Sequence, residues 1–175
     1  MRRYLPLVLA LVALATASCG SSPPATRARI PLPAGMYPSS ISKMVCASEA
    51  QSELTQVLGV RAVVATPTWI DHLYSCRYQY PNGVLTLSVK ELSSWPQTFA
   101  WYDMLERQLG DVGRLGNLGQ GAFTTSNGSV VVRKDWKVLT VQIAGLPPQF
   151  GVPLSNRRDI ADTVSDVILG CWAGD

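Results

Sequence analysis

The chain has 175 residues, with fifteen Lys and Arg against twelve Asp and Glu, one histidine and four cysteines, and 47% of it is hydrophobic. That length and apolar share build one domain with a core of useful size, and they exclude a disordered chain. The near balance of charge excludes nucleic acid as a partner, since binding it needs a strongly basic face.

At the start, Arg2 and Arg3 precede an apolar run from Leu5 to Ala15, which ends in Thr16, Ala17, Ser18 and Cys19. The run is far shorter than the ~20 residues of a membrane span and has the layout of a signal peptide. Small residues ahead of a cysteine make it a lipoprotein signal, with Cys19 as the thiol that takes a diacylglyceryl group. Residues 1–18 are then the signal peptide, and the mature chain keeps thirteen basic against twelve acidic side chains. The location this implies is the extracytoplasmic face of the cell membrane, and the membrane is the first partner.

Residues 19–41 are rich in Ser, Thr, Ala and Pro, with prolines at 23, 24, 31, 33 and 38. Such a segment has too little apolar surface to fold and favours extended geometry, so it is expected to be a stalk. Residues 42–175 form the single domain.

Its first helix is expected over 48–58. Ser48 and Gln51 have capping-box spacing, Ala50, Leu54, Val57 and Leu58 make one apolar stripe, and Gly59 stands at the end. A short strand follows at Ala62 to Ala65. Alternation at Tyr74, Cys76, Tyr78 and Tyr80, then at Leu85, Leu87 and Val89, gives two strands around Pro81-Asn82-Gly83, where Asn-Gly accepts the positive φ of a tight hairpin.

A second helix is expected between Ser94 and Gly110, with Phe99, Tyr102, Leu105 and Leu109 marking one face. Beyond a glycine-rich loop, strands are expected at Ala122–Ser126, Val130–Arg133 and Val138–Ile143, the first two joined by Asn127-Gly128. Ser48 to Asn82 spans 34 positions and Ser94 to Asn127 spans 33, the signature of a duplicated helix–hairpin unit. Ser155 caps a last helix carrying Ile160, Val164, Val167, Ile168 and Cys171 on one stripe. The order α-β-β-α-β-β-β-α specifies an α+β fold, an antiparallel sheet packed against helices.

Outside the cytoplasm thiols oxidise, so two of Cys46, Cys76 and Cys171 pair and the third is left over. Cys76 shares the buried alternation of Tyr74 and Tyr78, so its partner must come from a segment covering that face. Cys46 and Cys171 both meet this condition.

The set of Cys46 before a helix ending in Gly59, Cys76 and Tyr78 in a strand, and LGQGAFTTSNGSVVVRKDWKVLTVQIAGLP from Leu118 to Pro147 resembles the small actinobacterial cell-envelope lipoproteins grouped as DUF3558-like. The similarity covers about residues 40 to 172. It implies an envelope lipoprotein of α+β fold in which Cys46 pairs with Cys76 and Cys171 remains a buried, unreactive thiol, although Cys171 has no place in the family's pattern. It carries over no catalytic residue.

Chemistry is sparse. His72, beside Asp71, has no Gly-x-Ser-x-Gly partner and no second base, so it reads as a turn histidine and no catalytic residue is assigned. Intervals of 30 and 95 residues between cysteines do not fit a zinc site, so no metal or other cofactor is expected. Gly113–Gly121 lacks the Lys-Ser/Thr and strand-to-helix order of a phosphate loop and reads as a plain loop. Asn127-Gly128-Ser129 has the form of a glycan acceptor but reads as a turn.

Aromatic anchors are the stronger signal. Among the tryptophans at 69, 95, 101, 136 and 172, Trp95, Trp101 and Trp136 flank the second helix and a strand turn and are the candidate partner-binding residues. The functional expectation is a non-enzymatic interaction module for an envelope protein or cell-wall component. The alternative is a carrier or sensor of an apolar small molecule or lipid, held between helices and sheet. A filled interior favours the first and a cavity of several hundred cubic ångströms the second.

Overall fold

A computed structural model describes residues 31–172. The expected signal peptide, Cys19 and the first part of the expected stalk lie outside the described residues. The elements are α1 (Ser40–Met44), α2 (Ser48–Leu58), β1 (Val63–Val64), β2 (Thr68–Ile70), β3 (Leu73–Tyr80), β4 (Gly83–Glu91), α3 (Trp95–Leu109), β5 (Asp111–Leu115), β6 (Gly121–Thr125), β7 (Val130–Lys134), β8 (Lys137–Gln142), β9 (Gln149–Phe150), β10 (Ser155–Asn156) and α4 (Arg157–Cys171). The α+β class is as the sequence indicates.

One eight-stranded sheet runs in the order β1-β3-β4-β8-β7-β6-β5, with β2 also on β3, and every pairing is antiparallel. Side chains alternate across a strand, so Val130 and Val132 enter one core while Val131 enters another. The larger core joins α1, α2 and α4 to the sheet through Val45, Leu54, Leu58, Val164 and Ile168, packed on Cys76, Tyr78, Leu85, Leu87 and Leu139. The smaller lies on the opposite face, where Tyr102 of α3 covers Phe123, Val131 and Val138. Thus α2 and α3 sit on opposite sides of the sheet. The duplicated helix–hairpin unit does not appear as a structural repeat, because the strands between helix and hairpin differ, β1 and β2 in the first copy and β5 in the second, and the second helix lies on the other face.

Several local expectations shift. The Ser48–Gln51 capping box does not form: Ser48 is already helical, Ala47 is the N-cap without a side-chain bond, and Gln51 Nε2 instead donates to Cys46 O at 2.8 Å. Ser94 does cap α3, accepting from Gln97 N at 3.4 Å, while Gln97 Oε1 accepts from Ser93 N at 3.0 Å. At α4 the cap is Asn156 rather than Ser155, because the Asn156 amide oxygen accepts from Asp159 N at 3.0 Å and Ser155 is held in β10 against Phe150. The glycine-rich passage contains a strand: β5 pairs with β6 through a register shift between Asp111 and Gly113. Short β2 went unread, because its signal is the Asp71-His72 turn, two non-glycine residues with φ of 50° and 58°.

The β3–β4 hairpin forms, but Asn82-Gly83 is not its turn. Tyr80 pairs with Gly83, so Pro81 and Asn82 are the two turn residues, and Gly83 opens β4. Glycine is needed there for space: a Cβ on Gly83 would lie 2.8 Å from Gly145 O, where Val84 N donates to that same carbonyl at 2.9 Å. Asn127-Gly128 is a genuine turn, with Gly128 at φ 86° and Asn127 Oδ1 accepting from Ser129 N at 3.1 Å.

Candidate functional site

The tightest covalent tie is the disulfide between Cys46, in the turn after α1, and Cys76 in β3, with a Cα–Cα distance of 5.4 Å. It closes a loop of 30 residues and fastens the α1–α2 corner to β3, the long strand nearest one edge of the sheet. Cys171 departs from expectation. It is half-buried rather than buried, its Sγ lies 3.6 Å from Glu53 Oε2, and no cysteine among the described residues is a free thiol. The reading of Cys171 as an unreactive thiol is therefore corrected.

The three candidate tryptophans are each half-buried, Trp95 and Trp101 on α3 and Trp136 in the β7–β8 turn, and they do not form one cluster. Trp95 stands at the start of α3 with its ring 5.9 Å from that of Phe99, which is 45% exposed. Helical spacing brings Trp95, Phe99 and Tyr102 onto neighbouring turns, and β7 lays Arg133 across them. The guanidinium carbon sits 4.5 Å from the Phe99 centroid and 5.8 Å from those of Trp95 and Tyr102. Arg133 Nη2 donates to Gln120 O at 2.6 Å, whereas Nε has no partner. The rings hold this cation where hydrogen bonds alone do not.

Trp101 faces the other way along α3, under Lys90 Nζ at 4.6 Å. Trp136 sits in the β7–β8 turn, where its carbonyl accepts from Leu92 N at 2.8 Å and its indole nitrogen is buried without a partner. Sequence reading missed Arg133 and grouped Phe99 on one face with Tyr102, Leu105 and Leu109, which pack in the smaller core while Phe99 stays exposed. The usable signal was the 95, 99, 102 spacing of rings, which marks a second stripe beside the buried one.

Beyond α3 the sheet face is open and polar. Arg77, Thr86 and Gln142 stand in one register row across β3, β4 and β8, and they line an open cleft of about 460 Å³. On the opposite face, α2 and β3 enclose a cleft of about 490 Å³ bordered by Ser48, Gln51, Thr55 and Arg61, with Tyr78 and Tyr80 beneath. Burial raises the Tyr80 hydroxyl to about 12 and lifts that of Tyr78 as well, with the neighbouring tyrosines adding to the latter. Neither cleft is apolar.

His72 lies in the β2–β3 turn, exposed, with Nδ1 3.1 Å from Gly35 O and its ring edge-on to Trp69. Its ring nitrogen faces a backbone carbonyl and not an acid or a serine, and it is a turn residue. Among the described residues no group of three or more His, Cys, Asp or Glu is placed to hold a metal, and no described helix is long and apolar enough to cross a membrane. No family model, curated protein or solved structure matches the chain.

Proposed function

We propose that the chain is a non-enzymatic interaction module, held at the outer face of the membrane by a lipid on Cys19, that binds an envelope protein or cell-wall component. The observation that carries this reading is the filled core at the middle of the sheet, since the cleft of about 490 Å³ between α2 and β3 lies beside that core and opens to solvent. Cys76, Leu85, Leu87, Val89, Leu139 and Val141 have no exposed surface there, and Tyr78 has 1%. An apolar guest would need that volume. The clefts that do open are exposed to solvent and lined by polar as well as apolar side chains, which counts against the carrier reading. The resemblance to small envelope lipoproteins supports the anchor and does not bear on the choice between module and carrier.

The surface best suited to a partner is the outer side of α3, where Trp95, Phe99 and Arg133 present two of the residue types that dominate binding energy in an ordered stack. A photo-crosslinking residue at Phe99, introduced into the protein in its own membrane, should yield a discrete adduct. The same residue at Val112, 54% exposed on β5, should not. Native mass spectrometry of the extracted protein should find no bound lipid beyond the acyl anchor. A stoichiometric lipid bound without a covalent link would sink the module reading in favour of the carrier.

The anchor is tested separately. A sulfur forms either a thioether to lipid or a disulfide, and since Cys171 is not a free thiol, the mass of the peptide containing Cys19 decides between them.

A further inference from the structure

The packed chain begins earlier than residue 42. Residues 34–39, expected in the stalk, form a strap over one end of the sheet. Ala34 N donates to Leu92 O at 3.1 Å, Met36 O accepts from Trp69 Nε1 at 3.0 Å, and Ser39 N donates to Glu91 Oε1 at 2.8 Å. Their partners belong to β2 and to the end of β4, beside the start of β3. The strap's backbone is thus fixed while its side chains face out: Leu32 is 65% exposed, Met36 80% and Tyr37 76%, next to Ile70 of β2 at 66%. Four large apolar side chains gathered at one end of a small domain mark a contact surface.

A second exposed apolar group, Val57, Val152 and Leu154, lies at the other end. Val152 N donates to Leu58 O, and Phe150 packs edge-on against Tyr80, the last residue of β3. The eight residues of β3 separate the two ends by about 25 Å. Only the first end is the one from which the chain runs back toward Cys19. Twelve residues lie between Cys19 and Leu32 in the sequence, a reach of at most ~45 Å, and they include Arg27 and Arg29 but no acidic residue. Basic side chains close to an anchor attract anionic headgroups, and Met, Tyr and Ile suit the headgroup–acyl boundary.

We propose that the end of the sheet carrying Leu32, Met36, Tyr37 and Ile70 is the surface on which the domain rests against the outer leaflet of the bilayer. This inference rests on the anchoring of Cys19 proposed above. The arrangement turns the Val57–Val152 end away from the membrane and leaves the α3 surface at the side, open to a partner.

The test is hydroxyl-radical footprinting of the full-length acylated protein, extracted from its membrane and reconstituted in vesicles of phosphatidylethanolamine and phosphatidylglycerol. The reference is the Cys19→Ala protein in solution. Oxidation of Met36 and Tyr37 should fall several-fold in vesicles while that of Phe99 stays unchanged. In the acylated Tyr37→Ser, Ile70→Thr variant, protection of Met36 should be reduced. Equal oxidation of Met36 in the two states, with the acyl mass present on Cys19, overturns this inference and leaves the anchor intact. Absence of the acyl mass removes the anchor and this inference with it.

Discussion

The Tyr78 hydroxyl donates to the Val45 carbonyl at 2.7 Å, and the residues beside them in the fold, Cys76 and Cys46, are joined by a disulfide. Two ties, one covalent and one polar, therefore hold the same corner of the chain to β3. On the chain-entropy account the disulfide contributes about 3–4 kcal/mol. Tyr78→Phe leaves the Val45 carbonyl without that donor in a buried place and should cost about 1–3 kcal/mol. Because the two ties restrain one segment, their losses should not add. Urea unfolding of Tyr78→Phe, of Cys46→Ala/Cys76→Ala and of the combination checks this, and strict additivity would refute the coupling.

Glu91 is 4% exposed and is the acceptor that fixes both the strap and α1, taking hydrogen bonds from Ser39 N and from the buried hydroxyl of Ser42. Its cross-strand neighbour is Lys137, itself 2% exposed. Glu91→Ala should lower stability by about 1–3 kcal/mol and expose residues 34–39 to protease before the rest unfolds. Timed proteolysis with peptide mapping shows the order of cleavage. Cleavage at 34–39 equally fast in the parent protein would mean that the strap does not need Glu91.

Burial keeps Tyr78 and Tyr80 neutral, and Tyr80 is raised from 10.0 to about 12. A group whose folded pKa is raised gives its stability in full below the unfolded value and loses it as pH rises through the folded value. The chain should therefore weaken between about pH 10 and 12, with the Tyr80 share on the order of 2–3 kcal/mol. Chemical denaturation followed across that range, with phenolate absorbance recorded alongside, tests it. Flat stability up to pH 12 would contradict it. Tyr80→Phe should flatten the loss.

The elements legible in the sequence were those whose period is written in their own residues. Alternation of Tyr74, Cys76, Tyr78 and Tyr80 gave β3 because one face of that strand meets a core and the other is half open. The stripe of Ile160, Val164 and Ile168 gave α4 for the same reason. What was not legible depends on distant neighbours. The strap's position is decided by Glu91 and Trp69, more than thirty residues away, so Pro31 to Pro38 read only as extended chain. Which faces α2 and α3 cover cannot be read from two similar stripes. Arg133 looked like the polar end of a strand because the rings that receive it belong to α3.

Gly83 separates two accounts of one residue. If it served a positive-φ turn, a D-amino acid would replace it readily and an L-residue would not. In the structure the obstacle is the Gly145 carbonyl, 2.8 Å from an added Cβ, with Leu146 Cα at 3.0 Å. Gly83→Ala should cost about 1–3 kcal/mol through overpacking of backbone on backbone. Gly145→Ala should cost a similar amount, since its Cβ would meet Val84 O at 2.7 Å. Asn82→Ala should be nearly neutral. Thermal midpoints of the three variants distinguish the accounts, and a stable Gly83→Ala protein beside a damaged Asn82→Ala protein would restore the turn reading.

The state of Cys171 bears on the whole functional reading. Since no described cysteine is free, alkylation without reduction should label none of Cys46, Cys76 and Cys171, while alkylation after reduction should label all three. Non-reducing peptide mapping should recover Cys46 linked to Cys76. The peptide carrying Cys171 then reports on the anchor, because Cys19 is the remaining cysteine of the sequence. Joined to a low-molecular-weight thiol or to a second copy of itself, it leaves Cys19 for the lipid, and the Cys19 peptide should show the acyl mass. Joined to Cys19, it would occupy the sulfur that the diacylglyceryl group needs. The protein would then be released rather than anchored, and Cys19→Ala would cost stability at α4 instead of membrane retention. Fractionation of that variant after high-salt washing distinguishes the outcomes: loss from the membrane with an unchanged thermal midpoint supports the anchor, and a lowered midpoint with unchanged distribution refutes it.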